Sequence, residues 1–170
     1  MKGVELYARL SAELVDEDIR FLRWCYYTKI IDAGNRLLLL HGGIPATSKL
    51  DLGQDYPYQG YAEKPPKGLD LLTRTRHLDA NGNLVSMDMQ TEGSPYWADV
   101  YDGRWGFVVF GHEPFIQPDP RRFDHSLGID TGCVFGGWLT AVSISMEFMG
   151  CEFAMVSVKS YDVYSNAIYE

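Results

Sequence analysis

Cysteine is scarce and poorly placed for cross-linking: Cys25, Cys133 and Cys151 are odd in number, far apart and set in apolar sequence. That argues against a disulfide framework and against a Cys-x-x-Cys zinc site, and it fits a reducing, cytoplasmic setting. Positive charge is also in short supply, with 15 Lys and Arg against 23 Asp and Glu, a formal charge of -8. No basic cluster stands out, so neither DNA nor an anionic membrane is indicated as a partner, whereas divalent cations are compatible. No apolar run reaches the ~18 residues that mark a membrane-spanning helix, and the start of the chain shows no basic-then-apolar leader pattern. Internal repeats and low-complexity tracts are missing as well.

What remains is 170 residues, 46% of them hydrophobic. That is enough for one domain, residues 1–170, with its own core. Residues 1–31 read as a helical segment. Val4 to Leu14 forms a short helix; Asp16 then caps a second one, with Glu17 and Asp18 in its first turn and Ile19, Leu22, Tyr26 and Ile30 at three- and four-residue steps. Ala33-Gly34-Asn35 breaks the helical part, and residues 32–170 read as mainly β. The strands expected there are Leu37 to Leu40, Leu71 to His77, Phe107 to Phe110, Leu127 to Asp130, Trp138 to Phe148 and Phe153 to Val158. Asp79 to Asn83 reads as a turn. The segment 44–69 is a long loop rich in Pro, Gly, Tyr and Asp, a length more often functional than structural. Helices first and strands later indicate an α+β layering.

Two segments carry chemistry. FVVFGHEP, residues 107–114, and LLLLHGGIP, residues 37–45, are both apolar runs that end on a histidine beside glycine and shortly before proline. One such histidine is readily explained as the first polar residue of a loop. The repetition favours His41 and His112 as metal ligands projecting from rigid strand ends. His77 and His125 lack this setting and read as surface or hydrogen-bonding residues. Arg74 and Arg76, two apart on an expected strand, share one face: either a solvated face or a grip on a phosphate.

At HGGIP, TRTR, WADVYDG, FGHEP and GIDTGCVFGGWLTAV the chain resembles the C-terminal half of calcineurin-like metallophosphoesterases. The nearest branches are the symmetrical bis(5'-nucleosyl)-tetraphosphatases and the bacterial serine/threonine protein phosphatases. The motifs occur in the family's order between about residues 36 and 142. The resemblance implies the C-terminal part of a two-sheet αββα sandwich and a binuclear site that hydrolyses phosphomonoester or phosphoanhydride bonds. It implies His41 and His112 as ligands of one divalent metal, with Mn the first choice and Fe, Zn or Ni as alternatives, and Arg74 and Arg76 toward substrate phosphate. Two ions roughly 3.5 to 4 Å apart polarise a phosphoryl oxygen and generate a hydroxide nucleophile. Gly42, Gly43, Gly111 and Gly132 shape the surrounding turns, and Asp130 satisfies loop amides rather than binding metal.

The chain departs from the family in lacking its Asp-x-His, Gly-Asp-x-x-Asp and Gly-Asn-His motifs. Gly34-Asn35 is followed by Arg36, and Gly82-Asn83 by Leu84. Two imidazoles fall short of the about three protein ligands of a catalytic zinc-type site. The expectation is therefore a lobe of low activity alone, truncated or split from an N-terminal half, or associating through an exposed sheet edge. The substrate would be a phosphorylated small molecule, a phosphoprotein or an RNA end. The competing reading is a noncatalytic protein-interaction module derived from the same fold.

Overall fold

The structure, a computed structural model, describes residues 15–32, 36–57, 66–147 and 150–165. The expected helix Val4 to Leu14 and the Ala33-Gly34-Asn35 break lie outside these. Helix α1 is Asp16–Arg23, with Asp16, Glu17 and Asp18 in its first turn, where negative charge meets the positive end of the helix dipole. The Asp18 carboxylate accepts a hydrogen bond from the Val15 N–H at 3.0 Å.

The helix then stops, earlier than its apolar spacing suggests. Tyr26–Asp32 is strand β1, so the helical reading of residues up to 31 is corrected here. Tyr26, Tyr27, Thr28, Ile30 and Ile31 are aromatic or β-branched, and this segment gains ladder hydrogen bonds on both sides. It pairs antiparallel with β2, Leu37–Leu40, and with β3, Tyr56–Pro57.

The remaining strands are β4, His77–Leu78, β5, Leu84–Val85, β6, Phe107–Phe110, β7, Arg121–Arg122, β8, Ser126–Gly128, β9, Trp138–Glu147, and β10, Gly150–Lys159. Six of the described strands form a mixed sheet in the order β3-β1-β2-β6-β8-β7. Its centre is parallel: Leu38 faces Val108, and Val108 faces Ser126. The outer pairs are antiparallel, Arg121 opposite Gly128 at one margin.

The sheet buries both faces. Leu38, Leu40, Val108 and Phe110 point to one side, where they meet Leu52, Leu72, Leu78 and Trp97. Leu37, Val109 and Leu127 point to the other, against Val142 and Ile144 of β9 and Phe153 of β10. Continuous apolar runs such as LLLL and FVVF are what a two-sided burial requires. The β9–β10 ladder thus forms a second layer on one face. The described residues contain α-helices of eight and four residues, α1 and α2 (Trp97–Val100), and no helical layers of an αββα sandwich are seen among them. The fold is mixed α and β, with few helices. None of the described helices is long and apolar enough to cross a membrane.

The segment LLTRTRH does not form the expected strand. Leu69–Thr73 is a 3-10 helix with Leu69 and Leu72 buried, and the strand begins only at His77. Two buried leucines three apart fit a period of three rather than two. The Thr75 hydroxyl donates to the Leu71 carbonyl at 2.7 Å and the Thr73 hydroxyl to the Asp70 carbonyl at 2.8 Å, side-chain bonds that compete with a ladder. The turn at Asp79 to Asn83 closes the β4–β5 hairpin, with the Asp79 carboxylate accepting from the Asn81 and Asn83 N–H groups. Of the 44–69 loop, Leu52 is buried in the core, and residues 58–65 lie outside the described part.

Candidate functional site

Because β2, β6 and β8 run parallel and side by side, their carboxyl ends open on one edge of the sheet, where ligand sites of α/β sheets gather. His41 follows β2 immediately, and His112 and Asp130 each lie two residues past the ends of β6 and β8. The Gly111 N–H donates to the His41 carbonyl at 2.9 Å, which continues the β2–β6 pairing one step further. It brings the two imidazoles together, ring centroids 4.9 Å apart and planes inclined by 53°.

The turn that aims His112 is not made by the glycine before it. His112 itself takes the left-handed conformation, φ 74°, while a Cβ on Gly111 would meet nothing closer than 3.7 Å. A non-glycine residue in that region is strained, and such strain gathers at functional sites. Burial, followed by the charge of Arg76 and the proximity of His41, pushes the His112 imidazole down to about 4, against an opposing pull from Asp130. At neutral pH the ring is therefore uncharged, with one nitrogen lone pair free to accept a proton or bind a cation.

The Arg76 guanidinium reaches this site, and the Arg74 backbone lies beside Gly42. Arg76 Nε lies 2.8 Å from Glu113 Oε2, both side chains only 23% exposed, and Arg76 Nη2 donates to the His112 carbonyl at 3.3 Å. Its Nη1 stands 2.9 Å from the Met87 sulfur. Arg74 instead pairs with Asp70 in an exposed bridge at 2.9 Å. The pairing of Arg74 and Arg76 on one strand face is thus corrected, since the 3-10 turn sends them to different neighbours.

The glycines divide by role. Gly42 donates its N–H to the Leu72 carbonyl at 2.8 Å, and a Cβ there would sit 2.8 Å from the Thr73 carbonyl carbon. Gly43 lies against the Trp97 indole with no room for a Cβ. Gly132, φ 74°, opens the 3-10 turn Cys133–Phe135. Asp130 Oδ1 accepts the Gly132 N–H at 3.1 Å, the loop-amide role its sequence setting indicates.

Two residues were passed over in the sequence. Glu113 reads there as part of a loop stop, yet its adjacency to His112 was the available signal. Tyr96 is buried, and burial raises its phenol well above the ordinary tyrosine value; the Glu113 charge adds to this, opposed by Trp97, Arg121 and Arg76. His77 packs edge-on against Tyr96 at 5.5 Å, and His125 against Tyr101 at 6.3 Å. Neither joins the His41–His112 pair.

Among the described residues no group of three or more His, Cys, Asp or Glu side chains can hold a metal ion. Paired imidazoles suit a divalent transition metal, but two ligands do not close a site. A separate cavity of about 220 Å³ lies at the opposite ends of the strands, lined among others by Arg36, Leu38, Asp51, Leu52 and Trp105. It lacks the paired imidazoles and the depressed His112 of the histidine site, and such groups weigh more in locating chemistry.

No protein-family model matches the chain. In fold it resembles a crystal structure of a protein provisionally named a diadenosine tetraphosphatase, with a TM-score of 0.61 at 20% identity, covering 95% of this chain and 62% of that one. In sequence it is similar to the asymmetrical bis(5'-nucleosyl)-tetraphosphatase PrpE of Halalkalibacterium halodurans, 41% identical over 69 residues, 38% of this chain and 27% of that protein. PrpE of Oceanobacillus iheyensis is 39% identical over 71 residues, 40% of this chain and 27% of the relative. PrpE of Bacillus subtilis is 48% identical over 59 residues, 33% and 23% of the two chains. The match thus spans about a quarter of the length of these curated relatives. Their names are those of the asymmetrical enzyme, where the motifs had pointed to the symmetrical branch. The sequence similarity is thus local and to tetraphosphatases, and the shared fold is that of the solved structure.

Proposed function

We propose that this chain carries part of a site that hydrolyses phosphoanhydride bonds, with His41 and His112 as two ligands of a divalent metal and Arg76 as the cation facing phosphate. The observation that carries this reading is the His41–His112 contact at the carboxyl ends of neighbouring parallel strands. The tetraphosphatase names of the relatives supply the bond type. When bound, a divalent ion would polarise a phosphoryl oxygen. Mn, Fe, Zn or Ni would suit imidazole donors.

This chain's own groups do the following. His112, held in a strained turn, presents a neutral ring beside His41. Glu113 fixes the Arg76 guanidinium against the His112 carbonyl, so positive charge stands where a phosphate oxygen would gather negative charge. Two imidazoles leave such a site in need of at least one further donor.

A second reading has its own observation. On the outer face of the β9–β10 ladder Leu139, Val156 and Val158 are 66%, 62% and 62% exposed, and Leu139 faces Val158 in register. A contiguous apolar face of this kind marks association, either with a completing half or with the partner of a noncatalytic module.

Hydrolysis of a bis(5'-nucleosyl) tetraphosphate with Mn²⁺, comparing the chain with His41→Ala and His112→Ala, separates the two. Turnover lost in both variants supports the hydrolytic site. Full turnover in both removes the histidines from it, and no turnover in any form, with no Mn²⁺ bound by the parent chain, favours the module.

A further inference from the structure

Arg121 stands at the same mouth as the histidine pair but belongs to none of the motifs. In β7 it faces Gly128 of β8, which faces Phe110 of β6. Two strand spacings place its backbone about 10 Å from that of Phe110, and Phe110 lies two residues before His112. Arg121 is therefore in line with the carboxyl ends of the parallel strands.

Its side chain is oriented by aromatic rings. The guanidinium carbon lies 4.8 Å from the Phe123 ring centroid, 5.0 Å from that of Phe115 and 5.8 Å from that of Tyr96. Phe115 is itself tied to the site, since its N–H donates to the Asp130 carbonyl at 2.9 Å. The charges of Arg121 and Arg76 both act on the Tyr96 phenol and lower its raised value.

The aromatic bed positions the fork without using its N–H donors. The acidic partner, Asp99, is 3.9 Å away and both side chains are about half exposed, 45% and 51%. A loose surface pair of this kind contributes little and is readily exchanged for another anion. Arg122, the next residue, goes to the other face of the sheet, over Phe107 and Phe153, as alternation along a strand requires. It is a natural control: same charge, same strand, wrong side.

We propose that Arg121 is a specificity-determining residue that binds a phosphate group beyond the one next to Arg76, so that the site favours chains of phosphates over single phosphates. This rests on the phosphate-facing role proposed for Arg76. One phosphate held between Arg76 and the histidines does not extend two strands across the sheet, whereas a linear polyphosphate does. The planar fork matches non-bridging phosphate oxygens in pairs.

The test is titration of the full chain with orthophosphate and with tripolyphosphate, following the side-chain Nε–H resonances of Arg76, Arg121 and Arg122 by NMR. Tripolyphosphate should move Arg76 and Arg121 and leave Arg122 in place; orthophosphate should move Arg76 alone. Arg121→Gln should weaken tripolyphosphate about tenfold and orthophosphate less than about twofold, with Arg121→Lys in between and Arg122→Gln without effect. Unchanged unfolding midpoints verify that the variants fold. Equal losses in Arg121→Gln and Arg122→Gln would mean diffuse attraction and overturn the inference. Tripolyphosphate that moves Arg76 and binds Arg121→Gln as tightly as the parent overturns it too, while leaving Arg76 in its role. If neither anion moves Arg76, the phosphate site itself is wrong.

Discussion

His41 and His112 end two neighbouring parallel strands with their ring centroids 4.9 Å apart, joined through the Gly111 N–H and the His41 carbonyl. The relationship is a consequence of register. Once Leu37, Leu38 and Leu39 pair with Phe107, Val108 and Val109, the residues just beyond both strands must meet at the sheet edge.

The His112 ring should titrate with a midpoint of about 4, lowered first by burial and then by Arg76 and His41. Because the folded value lies below the unfolded one of about 6.5, the unfolded state takes up the proton first as pH falls. The stability contributed by the neutral ring is complete above about pH 6.5 and is lost between there and pH 4, on the order of 1 to 2 kcal/mol after solvent screening of a half-buried group. Imidazole NMR across pH 3 to 8 reads the midpoint directly, and a value near 6.5 would contradict the burial argument.

Gly43→Ala should destabilise the fold by about 1 to 3 kcal/mol, since its Cβ runs into the Trp97 ring. Gly111→Ala should cost less than about 1 kcal/mol, because the nearest atom stands 3.7 Å from the added carbon. Urea unfolding of both variants distinguishes a packing glycine from a tolerated one.

Removing Arg76 should matter and removing Arg74 should not. Arg76→Ala leaves the shielded Glu113 carboxylate without its cation and should cost about 3 kcal/mol. Arg74→Ala breaks an exposed bridge to Asp70 and should stay within about 0.5 kcal/mol. Thermal unfolding of the two proteins side by side checks the contrast.

Replacing Leu139 and Val158 by lysine should reduce self-association without unfolding the ladder, because both project from its outer face. Sedimentation velocity over a concentration series should show the parent forming larger species and the double variant staying monomeric.

The sequence carried the strand-end histidines plainly, because a four-residue apolar run with no polar break reads as a two-sided buried strand and its end as a site. The turn at Asp79 to Asn83, the strand Trp138–Glu147 and the middle of Gly150–Lys159 were legible because local chemistry and tertiary context agree there. Where they diverge, reading failed. Tyr26 to Ile30 has helical spacing, yet it lies between two strands that offer hydrogen bonds on both sides. LLTRTRH alternates, yet Leu69 and Leu72 bury at a spacing of three, and this shift turns the Arg74 guanidinium toward Asp70. The sequence points to Gly111 as the residue that shapes the turn, whereas His112 itself takes the left-handed conformation. Arg121 left no signal in the sequence, since its place depends on pairing across β8.

The central claim is that His41 and His112 act as one pair of metal donors. Its most direct measurement is imidazole nitrogen NMR of the chain during titration with Zn²⁺, which is diamagnetic and leaves distant rings unperturbed. The account predicts that the His41 and His112 resonances shift together along one binding curve while His125 stays fixed, and that either single alanine variant abolishes the response of the remaining partner. Independent curves for the two rings, or an equal response from His125, would contradict it.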